Sequence, residues 1–352
     1  MAMSKDYGSG AEGACPTHLR AWYRERRRDL PWREATGPEG LRAPYPSWIA
    51  EVMAQQTRID VVVPYFEAFL ARFPTVEALA AAPEEELLAA WAGLGYYRRA
   101  RFLQAAARQV VEAGSFPEDA AGWQELPGIG PYTAAAIASL VHGERQPVVD
   151  GNVKRVVARL EDLELRRDEG ALHRAAEQAG EAWMRRLPVG DVAAAGELNE
   201  ALMELGATVC LPKNPDCAAC PWSAPCRALA AGRAAAVPLP PRKRATVDRE
   251  LHCLLLGDAD AVHLERRVEG WNPGFLEPPL VEGASAREAF ERAAGLAAGA
   301  KLGSFSHHIT HHRLRVEVWH YPEGGDRPRI STEGQALTTI ARKALALLAG
   351  KA

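Results

Sequence analysis

Two carboxylates in the sequence occupy positions suited to acid–base chemistry. Glu51 interrupts the apolar run Trp48–Met53, which has helical spacing, and Asp150 directly precedes a helix expected at Gly151–Leu160. Apolar surroundings raise the pKa of a carboxyl and suit it to donate a proton, whereas a helix N-terminus favours an ionised carboxylate. Such a pair can protonate a leaving group and stabilise an oxocarbenium-like sugar. The alternatives are a buried ion pair for Glu51 and a simple N-cap for Asp150.

A glycine-rich turn lies between these carboxylates in the chain. Gly128 and Gly130 are separated by one apolar residue, which permits a tight turn with outward-facing backbone N–H groups. Pro131 suits the first position of the helix that follows. Free amides beside a helix N-terminus form an anion site, and a nucleic-acid phosphate is a natural occupant. The alternative is an ordinary corner between two helices.

Four of the six cysteines stand close together, at Cys210, Cys217, Cys220 and Cys226, with six, two and five residues between them. In an intracellular protein this grouping is typical of a metal centre rather than of disulfide bonds. Zinc sites usually show two Cys-x-x-Cys pairs, and here only Cys217 and Cys220 are spaced in that way. Thiolates also bind iron–sulfur clusters, so the residues alone leave both metals open.

The composition is that of a globular protein with room for two or three domains in 352 residues. Hydrophobic residues make up 47% and charged residues 25%, which excludes a disordered chain. No segment resembles a signal peptide or an uninterrupted apolar span, so we expect a cytoplasmic, nucleoid-associated protein without a membrane partner. The formal charge of −3 neither favours nor excludes DNA, because a basic face can exist on a nearly neutral protein.

Periodicity divides the chain into four segments. Residues 1–14 are small and polar and predict a disordered lead-in. Residues 15–229 show helical spacing and predict a helical bundle, and residues 230–247, rich in Ala, Pro and Arg, predict an extended linker. Residues 248–352 predict an α/β domain. Its expected strands and helices are Leu251–Leu256, Val262–Arg266, Leu314–Trp319, Ala286–Leu296 and Thr338–Leu348.

The glycine-rich turn and the aspartate after it resemble the helix-hairpin-helix segment of base-excision DNA glycosylases related to endonuclease III. Members that also cleave the strand carry a lysine after the second glycine and proline, and this amine forms a Schiff base. Tyr132 stands there instead, so the resemblance is to the monofunctional, A/G-specific adenine glycosylases of the MutY family. The match runs from about Trp22 to Cys226. It is carried by Leu30–Arg33, Ser47–Met53, Gln55–Thr57, Gly93–Tyr97 and Asn199–Gly206.

The resemblance implies a role for each residue near the reacting bond. Glu51 protonates a ring nitrogen of adenine and later activates water, and Asp150 stabilises the sugar cation. Tyr132 and Asn152 flank the reacting sugar. In one departure from the family, Ala54 replaces the usual leucine and removes an apolar contact near the extruded base.

The resemblance also implies the residues that contact DNA. Gln56 is the wedge and Tyr96 the intercalating aromatic, which together hold the duplex open after the adenine has left the helix. Gly128 and Gly130 grip the DNA backbone. The adenine pocket is lined by Arg28, Trp32 and Glu200.

The cysteine spacing is the one found in endonuclease III and MutY for a 4Fe-4S cluster. The resemblance therefore implies this cofactor, with Cys210, Cys217, Cys220 and Cys226 as its ligands. The cluster would brace the loop Leu211–Pro225 against the phosphate backbone.

The α/β domain resembles the Nudix-like C-terminal domain of MutY, with Gly274–Pro279 at its tryptophan–glutamate–proline turn. The segment Arg287–Arg292 is similar to a Nudix helix but lacks the paired glutamates that hold magnesium, so we expect no nucleotide hydrolysis.

In the family, a Phe-Ser-His loop of this domain reads 8-oxoguanine. The corresponding segment is His308–His311, in which Thr310 keeps the hydroxyl, Ile309 replaces the aromatic ring, and His311 keeps the imidazole. The literal Phe305–His307 motif four residues earlier is an alternative reader. A metal-binding tract is a further alternative for the histidines of this region, His307, His308, His311 and His312.

Together, these features predict a monomeric adenine DNA glycosylase that acts on adenine mispaired with 8-oxoguanine or guanine in double-stranded DNA. One alternative is a glycosylase of the same fold that removes thymine opposite guanine. Another is a non-catalytic iron–sulfur protein that binds DNA, which would leave Glu51 and Asp150 without a role.

Overall fold

The computed structural model of the chain describes residues 8–33, 37–242, 245–268, 271, 274–324, 327–333, 335 and 337–350. The chain divides into two compact units, Met1–Arg242 and Lys243–Ala352. The helices of the first unit are α1 (Gly8–Gly13), α2 (Pro16–Arg26), α3 (Pro44–Ala54), α4 (Ile59–Arg72), α5 (Val76–Ala81), α6 (Glu84–Ala90), α7 (Arg98–Ala113), α8 (Ala120–Glu125), α9 (Pro131–Val141), α10 (Gly151–Leu160), α11 (Gly170–Arg185), α12 (Ala194–Thr208) and α13 (Arg227–Ala230). Among the described residues every strand lies in the second unit, so the predicted helical first part is confirmed.

Helix α9 lies between two hydrophobic cores of the first unit, and residues 133–141 are all buried. Ile137 and Ala138 belong to the core that includes α3 to α8, whereas Ala135 and Ala136 belong to the core that includes α2 and α10 to α12. A helix that is apolar on all sides belongs in the interior of a domain. Both cores therefore fix the N-terminal end of α9, where the glycine-rich turn enters the helix.

The predicted disordered lead-in differs from the structure over residues 8–14, and residues 1–7 lie outside the described part of the chain. Residues 8–13 form α1, and Ala14 is fully buried. Trp183 donates its indole N–H to the carbonyl of Ala11 at 3.0 Å. A Cβ on Gly10 would meet the carbonyl oxygen of Leu160 at 2.2 Å, so only glycine allows this close approach. The composition of the segment did not reveal these contacts because they are made by backbone atoms.

The predicted extended linker, residues 230–247, also differs from the structure in its first half. Val237 is buried, and its carbonyl accepts a hydrogen bond from Arg159 Nε at 3.0 Å. The amide of Leu239 donates to the carbonyl of Leu165 at 2.9 Å. A proline-rich chain is extended, as expected, but its free carbonyls and amides pair with the helical unit, so residues up to Arg242 belong to that unit.

The second unit is built on a four-stranded sheet with the order β5-β1-β7-β6. Strand β1 (Val247–Leu256) runs parallel to β7 (His312–Tyr321), and β6 (Ala300–Ile309) and β5 (Leu280–Glu282) are antiparallel to their neighbours. The remaining elements are β2 (Ala261–Val262), β3 (Glu265–Arg266), β4 (Leu276–Glu277), α14 (Ala284–Ala293), β8 (Ile330–Ser331) and α15 (Thr339–Leu348). The predicted α/β character is confirmed.

Strand β6 is not predicted from the sequence, because its side chains alternate between half-buried and exposed without an apolar run. The predicted strand at Val262–Arg266 is divided between β2 and β3. Within the described part of the chain, no helix is long and apolar enough to cross a membrane.

Candidate active site and metal centre

Glu51 is the one charged residue of α3 and lies between residues that pack into the core, such as Ala50 and Val52. Burial raises the pKa of its carboxyl to about 7, and the negative charges of Glu200 and Asp150 contribute to that rise. Among the described residues, no group donates a hydrogen bond to this carboxyl. Glu51 is therefore partly protonated near neutral pH and is free to bond to another molecule.

Asp150 is the N-cap of α10, as its position in the sequence predicts. Its Oδ1 accepts hydrogen bonds from the amides of Asn152 at 2.8 Å and Val153 at 2.7 Å, and its Oδ2 accepts from Asn152 Nδ2 at 2.7 Å. Burial raises the pKa of Asp150, while these hydrogen bonds and Arg155 oppose the rise. Because Asn152 and Val153 together donate three hydrogen bonds to it, the surroundings of Asp150 match a carboxylate and those of Glu51 do not.

Asn152 connects Asp150 to the cysteine loop. Its Oδ1 accepts a hydrogen bond from Arg155 Nη2 at 2.8 Å, and Arg155 Nε donates to the carbonyl of Cys210 at 2.7 Å. Gly206 of α12 lies against Asn152, where a Cβ would approach the Asn152 Cβ to 2.5 Å. In the structure Asn152 therefore orients Asp150 directly and is itself held by Arg155.

Tyr132 lies in the first turn of α9, close enough to Glu51 and Asp150 for their charges to raise its pKa. Burial raises that pKa further, so the phenol stays neutral. Its hydroxyl donates to Met203 Sδ at 2.9 Å. Tyr132 thus joins the two carboxylates in one site.

The two glycines of the turn before α9 are not equivalent. Gly128 has φ of 79°, and a Cβ there would meet the Cβ of Phe102 at 2.7 Å, so glycine is required. Gly130 is the N-cap of α9 with φ of −92°, which any residue can adopt. Both glycines are exposed beside the buried Ile129. Within the described residues, neither glycine amide donates to a protein acceptor, so both can bind an anion.

Glu200 is buried in a network of hydrogen-bonded charges. It accepts from Tyr23 Oη at 2.8 Å, from Arg33 Nε at 3.3 Å and from Arg42 Nη2 at 2.6 Å. Because burying a carboxylate is costly unless donors surround it, these three partners explain how Glu200 remains on an apolar helix.

Arg28 and Trp32, the other residues predicted to line the adenine pocket, form hydrogen bonds with neighbouring charged residues. Arg28 forms an ion pair with Glu204 through Nε at 2.8 Å and Nη2 at 2.9 Å. Trp32 is buried with its ring edge-on to Phe66, 5.3 Å between centroids, and its carbonyl accepts from Arg42. These side chains border the network around Glu200 and Glu204.

Gln56 and Tyr96 lie on two exposed turns. Both have left-handed backbone conformations, with φ of 57° and 48°, which are uncommon for residues other than glycine. The Tyr96 side chain is 61% exposed. Ala54, the departure from the expected leucine, is the last residue of α3 and is half-buried.

The four cysteines Cys210, Cys217, Cys220 and Cys226 line one cavity. None of them forms a disulfide bond. Burial raises the pKa of Cys220 to about 12, and the neighbouring thiols contribute. The guanidinium of Arg159 donates to Cys210 Sγ at 3.1 Å. No three of the four sulfurs lie within 4.8 Å of one another.

In the second unit, Thr310 and His311 form the two-residue turn between β6 and β7. Ile309 pairs with His312 at the end of this hairpin. Thr310 is exposed, with φ of 55°, and its hydroxyl lies 3.4 Å from His311 Nδ1. The two residues are thus adjacent and accessible.

The literal Phe-Ser-His motif lies inside β6 rather than at the turn. The Phe305 ring packs against the core of the second unit, with Lys343 Nζ 5.2 Å from its centroid. His307 follows on the same face of the strand as Phe305 because side chains alternate. This motif is therefore less accessible than the Thr310 turn.

The histidine tract does not form a metal site in the described part of the chain. The one candidate group of metal-binding side chains there is Glu250, His252 and Glu317. His252 Nδ1 already accepts a hydrogen bond from Trp319 at 3.1 Å, and Glu317 pairs with Lys301. Both groups have partners without a metal ion.

Comparison with known proteins identifies the family of the chain. Residues 49–182 match the family model of the HhH-GPD superfamily base excision DNA repair proteins. The adenine DNA glycosylase of Mycolicibacterium smegmatis is 42% identical over 228 residues, which cover 62% of this chain and 70% of that protein. The chain belongs to the adenine DNA glycosylase family.

Other members of the family cover different shares of this chain. The human adenine DNA glycosylase is 43% identical over 215 residues, 60% of this chain and 38% of the human protein. This family member therefore spans less than half the length of that relative, and the same is true of the rat, mouse and Arabidopsis thaliana proteins. A solved thermostable thymine-DNA glycosylase is 26% identical, with a TM-score of 0.52 over 61% of this chain and 95% of that chain.

Sequence reasoning missed several residues that support the site of this adenine glycosylase family member. They are Tyr23, Arg33, Arg42 and Glu204. One signal was present: Glu197, Glu200 and Glu204 recur at helical spacing on the otherwise apolar α12. Buried carboxylates at this spacing need cations, and the arginines of residues 20–42 could have been assigned to them.

Proposed function

We propose that this protein is a monofunctional DNA glycosylase that hydrolyses the N-glycosidic bond of adenine mispaired with 8-oxoguanine or guanine. The observation that carries the proposal is the contrast between two nearby carboxylates. Glu51 has a pKa of about 7 and no donor among the described residues, whereas Asp150 accepts three hydrogen bonds. An acid and an anion side by side are what cleavage of a glycosidic bond requires.

The reaction begins with a proton transfer. Protonated Glu51 donates to a ring nitrogen of the extruded adenine, and the bond between the sugar C1′ and adenine breaks with its electron pair moving to the base. Asp150 stabilises the positive charge that develops on the sugar. Glu51, now ionised, accepts a proton from the water that attacks C1′, which restores the acid.

The DNA strand remains intact because water, and not an amine of the protein, attacks C1′. Tyr132 stands where a lyase has lysine, and its hydroxyl is held by Met203 with a raised pKa. The enzyme therefore leaves an abasic site, and strand breaks appear only after treatment with alkali.

DNA contacts are assigned to the exposed parts of the first unit. The amides of Gly128 and Gly130 bind a backbone phosphate at the start of α9. Gln56 and Tyr96 enter the duplex as the adenine leaves it. Arg28, Trp32 and Glu200 border the pocket that receives the base.

A 4Fe-4S cluster fits the four cysteines better than zinc does. Tetrahedral zinc with Zn–S bonds of about 2.3 Å brings its sulfurs within roughly 4 Å of one another. Here no three of the four sulfurs lie within 4.8 Å of one another, although all four cysteines line one cavity. Cys210, Cys217, Cys220 and Cys226 would supply the thiolates, and the cluster would brace the loop without taking part in hydrolysis.

Metal analysis tests this assignment. The purified protein should be brown with about four irons per chain, and Cys217→Ser should lower the iron content. A colourless protein with one zinc would overturn it.

We assign recognition of 8-oxoguanine to Thr310 and His311 of the second unit. We also propose that this unit is related to Nudix domains. A hydroxyl and an imidazole on an accessible turn can bond to the added carbonyl and N–H of the lesion.

A base-release assay tests the proposed function. Duplexes carry adenine opposite 8-oxoguanine, guanine or thymine, and a further duplex carries thymine opposite guanine, each with and without alkali. We expect free adenine from the first two duplexes and strand breaks only with alkali. Release of thymine alone would assign the reaction of the solved thymine-DNA glycosylase, and no base release would leave a non-catalytic DNA-binding protein.

A further inference from the structure

Arg99, in the first turn of α7, binds the end of the helix that carries Glu51. Its Nη1 donates to the carbonyls of Val52 at 2.9 Å, Met53 at 2.9 Å and Gln55 at 2.5 Å. The last carbonyls of a helix lack partners within it, and a cation at this end is favoured by the helix dipole. Arg99 therefore fixes where α3 stops and where the turn after it begins.

The same guanidinium also binds a second turn, the one that precedes α7 in the chain. Its Nη2 lies 3.3 Å from the carbonyl oxygen of Leu94 and 3.4 Å from that of Gly95. The same Nη2 lies 3.0 Å from Thr57 Oγ1, which belongs to the turn after α3. The Tyr96 ring lies beside it, 5.5 Å from the guanidinium carbon to the ring centroid. One side chain thus joins the turn after α3 to the turn before α7.

Each of these turns contains a residue in a left-handed conformation. Gln56, with φ of 57°, follows Gln55, and Tyr96, with φ of 48°, follows Gly95. Such conformations persist only where the surroundings hold them. Arg99 bonds to the carbonyl immediately before each of the two residues. No carboxylate of the described residues pairs with Arg99, so its charge is directed only at these turns and the nearby rings.

We propose that Arg99 is a positioning residue that locks the turns of Gln56 and Tyr96 to the helix of Glu51. The two side chains that enter the duplex then have a fixed location relative to the carboxyl that protonates the extruded base. This inference rests on the proposed function. Lysine cannot replace the arginine, because a single ammonium group lacks the planar fork that reaches both turns.

The test compares Arg99→Lys with Arg108→Lys in the full chain with its metal centre. Arg108 is an exposed residue of the same helix, and its Nε donates to the carbonyl of Ala80 at 3.1 Å, away from both turns. Single-turnover release of adenine is measured on a duplex with adenine opposite 8-oxoguanine. Fluorescence of 2-aminopurine in place of that adenine reports extrusion of the base. Iron content and Tm report folding.

We expect Arg99→Lys to reduce base extrusion and to slow release by about 10- to 100-fold, since small errors of position have effects of this size. Its pH profile should keep the midpoint of the wild type, and its iron content and Tm should match those of Arg108→Lys. Tyr96→Ala should add little to the loss in Arg99→Lys if both act through one turn. Fully additive losses, or extrusion and release at the wild-type level, would overturn the inference.

If Arg99→Lys loses iron or fails to fold, Thr57→Val decides the question. This change removes the hydroxyl that accepts from Arg99 and donates to the carbonyl of Gln55 at 3.3 Å, and it leaves the guanidinium and its carbonyl partners in place. A smaller loss of extrusion in the same direction supports the positioning role, and unchanged extrusion overturns it. If the wild type releases no base from any duplex, the proposed function fails and the inference fails with it. If the wild type is active and extrusion and release are unchanged in the variants, only the inference about Arg99 is wrong.

Discussion

In the first unit, Glu51, Asp150 and Tyr132 come from three parts of the chain and lie close enough for their charges to interact. In the second unit, Thr310 and His311 stand on an exposed turn, and the Thr310 hydroxyl lies 3.4 Å from Nδ1 of the adjacent His311. The difference follows from burial. Buried polar groups need hydrogen-bond partners, and those partners fix the geometry of the site. The side chains of an exposed turn instead find their hydrogen-bond partners in a bound molecule.

The largest expected effect comes from either carboxylate of the first unit. Glu51→Gln and Asp150→Asn should each slow single-turnover adenine release by at least about 10²-fold, because the proton donor or the stabilising charge is lost. Binding of mismatched DNA, measured by titration, should persist in both variants.

Glu125→Gln is a matched control for these variants, because Glu125 is an exposed residue at the end of α8. It should retain the wild-type rate. Near-normal release in Glu51→Gln or Asp150→Asn would remove that residue from the mechanism.

Much of this contrast could be predicted from the sequence. Glu51 within an apolar run and Asp150 before a helix are local patterns, and the structure shows the raised pKa and the N-cap that such patterns predict. The partners of Glu200 could not be read in the same way. Tyr23 and Arg42 are more than 150 residues away from Glu200 in the chain, so only the fold brings them to it.

The same reasoning explains the two errors along the chain. Gly10 and Val237 lie in segments with the composition of a disordered tail and a linker. Composition describes a chain that lacks partners, but here the helical unit offers donors and close-fitting surfaces to both segments. Strand β6 was missed because its polar and half-buried residues carry little apolar signal.

Removal of the second unit should separate release of adenine from the preference for 8-oxoguanine. Each unit has hydrophobic cores of its own, so a chain that ends at Arg242 should fold and should retain the proposed metal centre. We expect this chain to retain slow single-turnover release of adenine and to lose the preference for 8-oxoguanine over guanine. If the shortened chain still preferred 8-oxoguanine, recognition of the lesion would belong to the first unit, and the proposed division between the two units would be wrong.

A smaller effect is expected at the exposed turn itself. Thr310→Ala should weaken binding to adenine opposite 8-oxoguanine by a factor of about 2–10, the value of one neutral hydrogen bond. Binding to adenine opposite guanine should change much less, since the hydroxyl has no lesion-specific partner there.

Thr332→Ala, elsewhere in the second unit, serves as the control for the loss of a threonine hydroxyl. Equal weakening of both substrates by Thr310→Ala would make Thr310 structural. His311, His308 and Ser306 would then be the next candidates for reading the lesion.

The pH dependence of adenine release tests the central claim most directly, because that claim assigns the proton donor. Since the raised pKa of Glu51 lies at about 7, the single-turnover rate should be highest below that pH. Above it the protonated fraction, and hence the rate, should fall roughly tenfold per pH unit. Glu51→Gln should lose this dependence along with most of its rate. A wild-type rate that stays constant from acidic to alkaline pH would contradict the account.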